Sequence, residues 1–143
     1  MENGKIARIV DKNGVVYEGE VVGTIPHGNG KYTFADGAVY EGNVVKGVMT
    51  GKGKKTYKDG TVYEGDFVEG KRTGAGKMSY ADGNVYIGEF VDGCESGKGT
   101  AFFADRSVYT GEFLNGKFHG KGKFIISDGR VLEGTFKNGE FVG

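Results

Sequence analysis

The fold is decided by residues 63–83, which read YEGDFVEGKRTGAGKMSYADG. In the first five of these residues Tyr, Gly and Phe alternate with acids, and a two-residue period is typical of a half-buried strand. Residues 74–80 alternate in the same way, and the Asp-Gly pair after them favours a turn because glycine accepts positive φ at little cost. The stretch therefore predicts a β-hairpin in which residues 69–73 form the turn between two strands.

This hairpin pattern recurs along the chain with a period of 23 residues. The leading position of each repeat is occupied, in order, by Tyr17, Tyr40, Tyr63, Tyr86, Tyr109 and Leu132. A fixed period of this size indicates a repeat architecture. We predict one continuous array over residues 1–143, with a degenerate N-terminal capping strand in residues 1–16, repeats that start at residues 17, 40, 63, 86 and 109, and a half repeat in residues 132–143. The predicted fold is all-β: a single-layer, twisted antiparallel meander of repeated β-hairpins with about twelve strands.

The composition fits a scaffold of short repeats. The 143 residues include 29 glycines and no tryptophan, and each repeat is too short to bury a core of its own, so it must pack on its neighbours. Equal numbers of basic and acidic residues, 19 each, leave no net charge to attract nucleic acid. The lone Cys94 suits a reducing compartment, and the sequence shows neither a signal-peptide core nor an apolar run of about 20 residues. We expect a cytoplasmic protein that a partner can hold at the cytoskeleton or at a membrane surface.

The two faces of the predicted sheet differ in chemistry. One face collects the Tyr, Gly and Phe columns of the first strands and the aromatic residues of the second strands. We expect these rings to lie over glycines of adjacent strands, which leave room for them. The other face alternates acidic first strands with basic second strands, and opposite charges across an antiparallel pair contribute about 0.2–1 kcal/mol each. Most charges are therefore expected to serve register and solubility.

Residues 63–83 resemble the MORN repeat, whose pattern is an aromatic-acid-Gly-acid-aromatic strand, a Gly turn, a Gly-x-Gly strand and an Asp-Gly turn. The match extends over residues 13–143. The resemblance implies a single-layer curved sheet of hairpins that serves as a docking platform for protein partners, and often as a self-associating scaffold at membranes or the cytoskeleton. An affinity for phosphoinositides also attaches to the family. The chain departs from the family at the fifth strand position, where Trp is common, and the smaller Val21 and Val44 predict a shallower groove in the first two repeats.

No motif in the sequence supports catalysis, a cofactor or a metal ion. The glycines of residues 47–53 resemble a phosphate-binding loop, but one residue too few separates them and no Ser or Thr follows the lysine. The same spacing returns in later repeats, so we assign it to the fold. His27 and His119 stand four repeats apart, too far to share a metal, and are expected to be solvated turn residues. Cys94 has no recurrent histidine to activate it.

We therefore predict a non-enzymatic scaffold that binds a peptide or helix of a protein partner in an aromatic groove, because rigid rings give a large contact area at low entropic cost. The residues expected to form this groove are Tyr63, Phe67, Tyr80, Tyr86, Phe90, Phe103, Tyr109 and Phe113. One alternative is a phosphoinositide-binding or peripheral membrane module. Its expected lipid-binding residues are Lys52, Lys54, Lys55, Lys58, Lys71 and Arg72. A further alternative is a self-associating architectural protein or a regulatory part of a larger enzyme, since Gly143 ends the sequence inside a repeat.

Two further surfaces are expected to make contacts. On the charged face, Ile87, Phe102 and Ile125 replace polar residues of the earlier repeats and predict an apolar contact patch. In the same region Arg106 replaces a turn glycine, which costs stability if the position needs positive φ. The last strand is expected to be an unpaired edge with few protective charges, and we predict a tail-to-tail homodimer through it. Its residues are Val131, Leu132, Glu133, Gly134, Thr135 and Phe136.

Overall fold

A computed structural model describes residues 5–143; residues 1–4 of the predicted capping strand lie outside this range. The described chain is all-β, and its strands are β1 Lys5–Val10, β2 Val16–Val22, β3 Ile25–Thr33, β4 Val39–Val45, β5 Val48–Thr56, β6 Val62–Val68, β7 Lys71–Ser79, β8 Val85–Val91, β9 Cys94–Phe102, β10 Val108–Leu114, β11 Lys117–Ile125, β12 Val131–Lys137 and β13 Glu140–Phe141. Strand neighbours follow the order of the chain. The predicted antiparallel meander is confirmed, with 13 described strands rather than about twelve. Residues 5–143 contain no helix of the length and apolarity needed to cross a membrane.

The chain divides into two compact units, whose described parts are residues 5–71 and 72–143. The first unit holds β1 to β6, each paired antiparallel with the next. The second holds β7, apart from its first residue, through β13, in the same consecutive pairing. Each unit is therefore a run of hairpins without crossover connections.

The hairpins turn in two residues, and the predicted five-residue turn over 69–73 is wrong. Five successive turns consist of a residue with φ of 48–50° followed by a glycine with φ of 81–89°. They are Lys46-Gly47, Glu69-Gly70, Asp92-Gly93, Asn115-Gly116 and Asn138-Gly139. Positive φ at both central positions matches the twist of the flanking strands, which is why such tight turns close hairpins. The three residues after each turn consequently lie on a strand, and their side chains belong to a face of the sheet.

A row of glycines crosses each unit, because the glycines of successive strands stand opposite one another. In the first unit the row is Gly19, Gly30, Gly42, Gly53 and Gly65, and in the second it is Gly76, Gly88, Gly99, Gly111, Gly122 and Gly134. The leading tyrosines lie on this row: a Cβ at Gly53 would overlap the ring of Tyr40. The Tyr40 hydroxyl donates a hydrogen bond to the backbone oxygen of Asn43, 2.6 Å away. The predicted packing of rings on glycines is thus confirmed.

The core of each unit lies on the face that carries these tyrosines. Phe67 packs edge-on against the rings of both Tyr40 and Tyr63, with centroids 5.0 and 5.1 Å apart. Phe113 makes the same pair of contacts with Tyr86 and Tyr109, at 4.9 and 5.0 Å. Because edge-to-face contact is a favoured arrangement of aromatic rings, each phenylalanine joins the tyrosines of two consecutive repeats. The repeats bury one another, as expected of units without a core of their own.

The C-terminal strand β12 is not the unpaired edge that the sequence predicts. Strand β13 pairs with it through Phe136 opposite Phe141 and Lys137 opposite Glu140. The backbone N–H of Val142 also donates to the oxygen of Thr135, at 2.9 Å. The pattern missed β13 because the positions of its two residues, Glu140 and Phe141, vary from repeat to repeat. Of the six residues from which a tail-to-tail dimer was argued, Thr135 and Phe136 are thus covered, and the dimer stays a prediction.

The Gly53→Ala substitution tests the glycine row. We expect it to lower the free energy of unfolding by about 2–3 kcal/mol, because the added methyl overlaps the Tyr40 ring in a close-packed face. The control is Gly47→Ala, at a turn glycine with φ of 85° and open space around its Cβ, where backbone strain alone costs about 1 kcal/mol. Urea denaturation followed by circular dichroism measures both. Equal losses in the two variants would contradict the steric role of Gly53.

The Arg106→Gly substitution is expected to stabilise the protein. Arg106 has a φ of 76°, where the equivalent Gly37, Gly60, Gly83 and Gly129 have φ of 95–98°. Relief of this strain, about 1–2 kcal/mol, exceeds the entropic cost of an added glycine, so we expect a net gain of about 0.5–1 kcal/mol in the free energy of unfolding. Ala104→Gly, in the same turn, has no such strain to relieve and should lose stability in the same urea titration. A loss at Arg106 would show that its side chain stabilises the turn.

Candidate functional site

Three acidic side chains of the first strands, those of Glu20, Glu89 and Glu112, are bonded to the backbone of the sheet. The register shifts between Gly111 and Phe113, where β11 carries a bulge. There the Glu112 carboxylate accepts a hydrogen bond of 2.6 Å from the backbone N–H of Lys121. Glu20 and Glu89 bond the equivalent N–H groups of their hairpins. Because these carboxylates accept hydrogen bonds from backbone N–H groups at the bulges, their role is structural.

The histidines are also structural, although they are not the solvated turn residues that the sequence predicts. His27 lies on β3 and His119 on β11, and each Nδ1 accepts a backbone N–H from the following hairpin turn, at 3.1 and 3.4 Å. Thr50, Thr73 and Ser96 accept the corresponding bond in the other repeats. Cys94 is an exposed residue at the start of β9. Within residues 5–143, no three His, Cys, Asp or Glu side chains are grouped to hold a metal ion.

Six of the eight rings predicted to grip a partner are buried in the core. Their exposed fractions lie between 0 and 6%, and they are Tyr63, Phe67, Tyr86, Phe90, Tyr109 and Phe113. A side chain with so little exposed surface cannot supply the contact area that a partner needs. The expectation that these six rings contact a partner directly is therefore corrected. They form the core beneath the accessible side chains of this face. Tyr80 and Phe103 remain half-buried and accessible.

Tyr80 and Phe103 lie in a cavity of about 440 Å³ in the second unit. Its other lining residues are Asp82, Asn84, Val85, Tyr86, Glu95, Ala101, Phe113, Gly116, Lys117, Phe118 and Gly139. Phe118 stacks on the buried Tyr109, with ring centroids 3.8 Å apart and planes 2° from parallel, and lies 6.0 Å from Phe103. The cavity thus has accessible aromatic walls on a rigid floor, the composition typical of a binding site for an apolar or extended ligand. We call it the aromatic cavity.

The sequence pattern did not identify Phe118, Glu95 or Lys117 as lining residues. Each follows a two-residue turn, within the segment that the pattern assigned to the turn itself. The position of Phe118 carries Pro26, Met49, Arg72, Glu95 and Phe141 in other repeats, so it varies while the core columns stay constant. This variability is the one signal that was available, since positions that specify a partner need not repeat.

Tyr80 and Glu95 form a polar pair in the wall of the aromatic cavity. The Tyr80 hydroxyl donates a hydrogen bond to Oε2 of Glu95. Burial raises the pKa of Tyr80 above its usual value near 10, and the hydrogen bond to Glu95 and the charge of that carboxylate raise it further. Arg72 opposes this increase in the pKa of Tyr80. Its guanidinium donates to the backbone oxygen of Gly93 at 2.7 Å.

The lysines expected to bind lipid in the first unit do not share one surface. Lys52 forms an ion pair with Asp66, and Lys54 stands opposite Glu41 and Glu64 in the sheet register. Lys55 lies on the aromatic face instead, with its Nζ 4.8 Å from the ring centroid of Phe34 and 5.1 Å from that of Tyr57. Lys58 follows in the next turn. The lipid-binding role of these residues, and of Lys71 and Arg72, stays a prediction without a common basic face to support it.

The apolar residues of the other face do come together in the second unit. Phe102 and Ile125 both stand opposite Val108, on the strands either side of β10. Ile87 is two residues along β8 from Val85, the partner of Phe102. All three predicted patch residues are exposed, by 41–47%. Their placement agrees with a patch, and its role in contacts stays a prediction.

Comparison with known proteins identifies the family of the chain. The family model for the MORN repeat matches residues 17–39, 40–62, 63–85, 86–108 and 109–129. The chain therefore belongs to the MORN repeat family. A comparison with curated proteins finds no significant match.

Among solved structures, the chain resembles the TCP domain of SAS-4 (dCPAP) of Drosophila melanogaster in complex with a proline-rich motif of Ana2 (dSTIL). The TM-score is 0.53 at 13% sequence identity, and the alignment covers 91% of this chain and 77% of that one. At this identity the likeness concerns the fold.

The polar pair in the cavity wall leads to a prediction about pH. Because the folded state favours the neutral phenol, we expect Tyr80 to stay protonated at about pH 11, whereas an unperturbed tyrosine ionises near pH 10. This contribution to the free energy of unfolding is complete below about pH 10 and is lost as the pH rises further. NMR of Cζ-labelled tyrosine, assigned with Tyr80→Phe, measures the titration. Glu95→Gln should shift it to lower pH, and a wild-type Tyr80 that titrates near pH 10 would exclude the pair.

Proposed function

We propose that this chain is a non-catalytic protein-interaction scaffold that binds an extended, proline-rich peptide of a partner protein in the aromatic cavity. The observation that carries the proposal is the cavity itself, where the accessible rings of Tyr80, Phe103 and Phe118 stand over buried core rings. A rigid floor keeps these rings in place before a ligand arrives, which reduces the entropic cost of binding. No reaction is proposed.

The chemistry of the walls favours an extended ligand rich in proline. Such peptides adopt the polyproline II conformation in advance and dock their rings against aromatic side chains, so little entropy is lost on binding. The SAS-4 domain, which resembles this chain in fold, was solved with a proline-rich motif. That complex supports a proline-rich segment as the class of ligand, and we propose the residues of the aromatic cavity as its point of contact in this chain.

Substitution of one accessible ring of the aromatic cavity tests the proposal. A peptide array of 12-residue sequences built around Pro-x-x-Pro is probed with the purified chain, and the best binder is measured by fluorescence anisotropy. We expect Phe103→Ala to weaken binding at least tenfold, because aromatic anchors of an interface typically contribute more than about 1.4 kcal/mol. Phe103 contacts the rings of Phe118 and Phe124 at 6.0 Å, and neither of these belongs to the buried core, so its loss should spare the core.

Phe34→Ala is the matched control, since Phe34 holds the same repeat position as Phe103 in the first unit. Its removal should leave the peptide affinity unchanged, and circular dichroism checks that both variants fold. A chain that binds none of the proline-rich peptides would refute the proposed ligand class. Equal weakening by the two substitutions would place the binding site outside the aromatic cavity.

A further inference from the structure

Glu95 is the one acidic residue at its position in the repeat. The position carries Pro26, Met49, Arg72, Glu95, Phe118 and Phe141 along the chain. On β9, Glu95 stands opposite Phe90 of β8, a core residue, so its side chain lies on the aromatic face rather than on the charged one. A carboxylate on this face does not take part in the alternation of acids and bases that sets the register.

The Glu95 carboxylate has unused capacity to accept hydrogen bonds. Within the part of the chain that the structure describes, its side chain has one hydrogen-bond partner, the hydroxyl of Tyr80 on Oε2. An ionised carboxylate has about four lone-pair sites, and its second oxygen, Oε1, borders the same cavity beside Gly116. Aromatic walls reduce the solvation of this oxygen, so a donor supplied by a ligand gains more there than on an open surface.

The charged residues that line the cavity carry an excess of negative charge, which Arg72, outside the lining but close enough to act on Tyr80, partly offsets. Its charged lining residues are Asp82, Glu95 and Lys117. The Asp82 carboxylate is bonded to the backbone and side-chain nitrogens of Asn84, at 3.0 and 3.3 Å. Lys117 is exposed at the rim, and Arg72, which donates to the backbone oxygen of Gly93, is not among the lining residues. Glu95 is thus the carboxylate in the cavity that remains able to bind a cation of a ligand.

We infer that Glu95 selects a basic residue, above all arginine, in the peptide that occupies the aromatic cavity; this inference rests on the proposed function. A guanidinium binds a carboxylate through paired hydrogen bonds, and it also stacks on aromatic faces such as those of Phe103 and Phe118. The aliphatic stem of arginine packs along the same rings. Proline residues and one arginine therefore use different parts of one cavity, which makes the partner a basic proline-rich segment.

A pair of peptides that differ at one position tests the selection. The best Pro-x-x-Pro binder from the array is synthesised with Arg or with Gln at each flanking position in turn, and its affinity is measured by fluorescence anisotropy. Wild-type protein should prefer Arg over Gln about tenfold at one position, as expected for a charged hydrogen bond. Glu95→Gln should abolish this preference, so that the Arg and Gln peptides bind about equally. Its amide oxygen still accepts the Tyr80 hydrogen bond, which preserves the shape of the wall.

The control is Glu133→Gln, which makes the same charge change at an exposed residue opposite Lys123 on the charged face and should leave the preference at about tenfold. Glu95→Arg should reverse the selection toward a peptide with Glu at that position, and this second variant tests the inference if Glu95→Gln folds poorly. A wild-type chain that binds peptides without preferring Arg, or an equal effect of Glu133→Gln, would overturn the inference and leave the proposed function standing. Failure of the wild type to bind any peptide would refute both.

Discussion

The stacking of each leading tyrosine on a pair of facing glycines is the interaction on which the rest of the structure depends. Tyr40 lies over Gly53, and a Cβ at the facing Gly42 would itself lie 2.5 Å from the Cα of Gly53. Two strands approach this closely only when neither carries a side chain at the crossing, which explains why glycine is kept there despite its weak preference for strands. The ring fills the space that the glycines leave, and its hydroxyl bonds the backbone three residues on. The sheet thereby buries aromatic side chains on one face without a second layer of secondary structure.

The same arrangement separates the residues that hold the fold from those able to carry specificity. The leading tyrosines and the phenylalanines of the first strands are buried, and the acids at the bulges satisfy backbone donors. The positions of Glu95 and Phe118, and of Tyr80 and Phe103, lie at the margin of this core. The position of Glu95 and Phe118 changes from repeat to repeat, whereas that of Tyr80 and Phe103 carries a ring in four consecutive repeats. The aromatic cavity arises where several large rings occupy these marginal positions in consecutive repeats.

The sequence predicted the recurring strands and the chemistry of the two faces, but it did not predict the hairpin turns or most residues of the aromatic cavity. Its period predicted the meander, the two faces and the ring-on-glycine contact, and the strain at Arg106 followed from one glycine missing from a column. The two-residue turns were missed although Asp92-Gly93, Asn115-Gly116 and Asn138-Gly139 carry the residue types that favour them, because the first hairpins have Lys46 and Glu69 at that position. That error hid Glu95 and Phe118 inside a supposed loop. Burial of Tyr86 and Tyr109 was missed for another reason: alternation assigns a side chain to a face and gives no measure of how far neighbouring rings cover it.

The bonds between repeats span short distances along the chain. Turn caps such as His27 to Lys46 join residues 19 apart, and ring contacts such as Tyr40 with Phe67 join residues 27 apart. Closing such small loops costs little entropy, and proteins built from local contacts fold quickly. A repeat can therefore pack as soon as its successor has left the ribosome, without waiting for the rest of the polypeptide. Duplication of a 23-residue segment could likewise lengthen such an array. The new repeat would pack against the same kind of neighbour on both sides as the repeat from which it was copied.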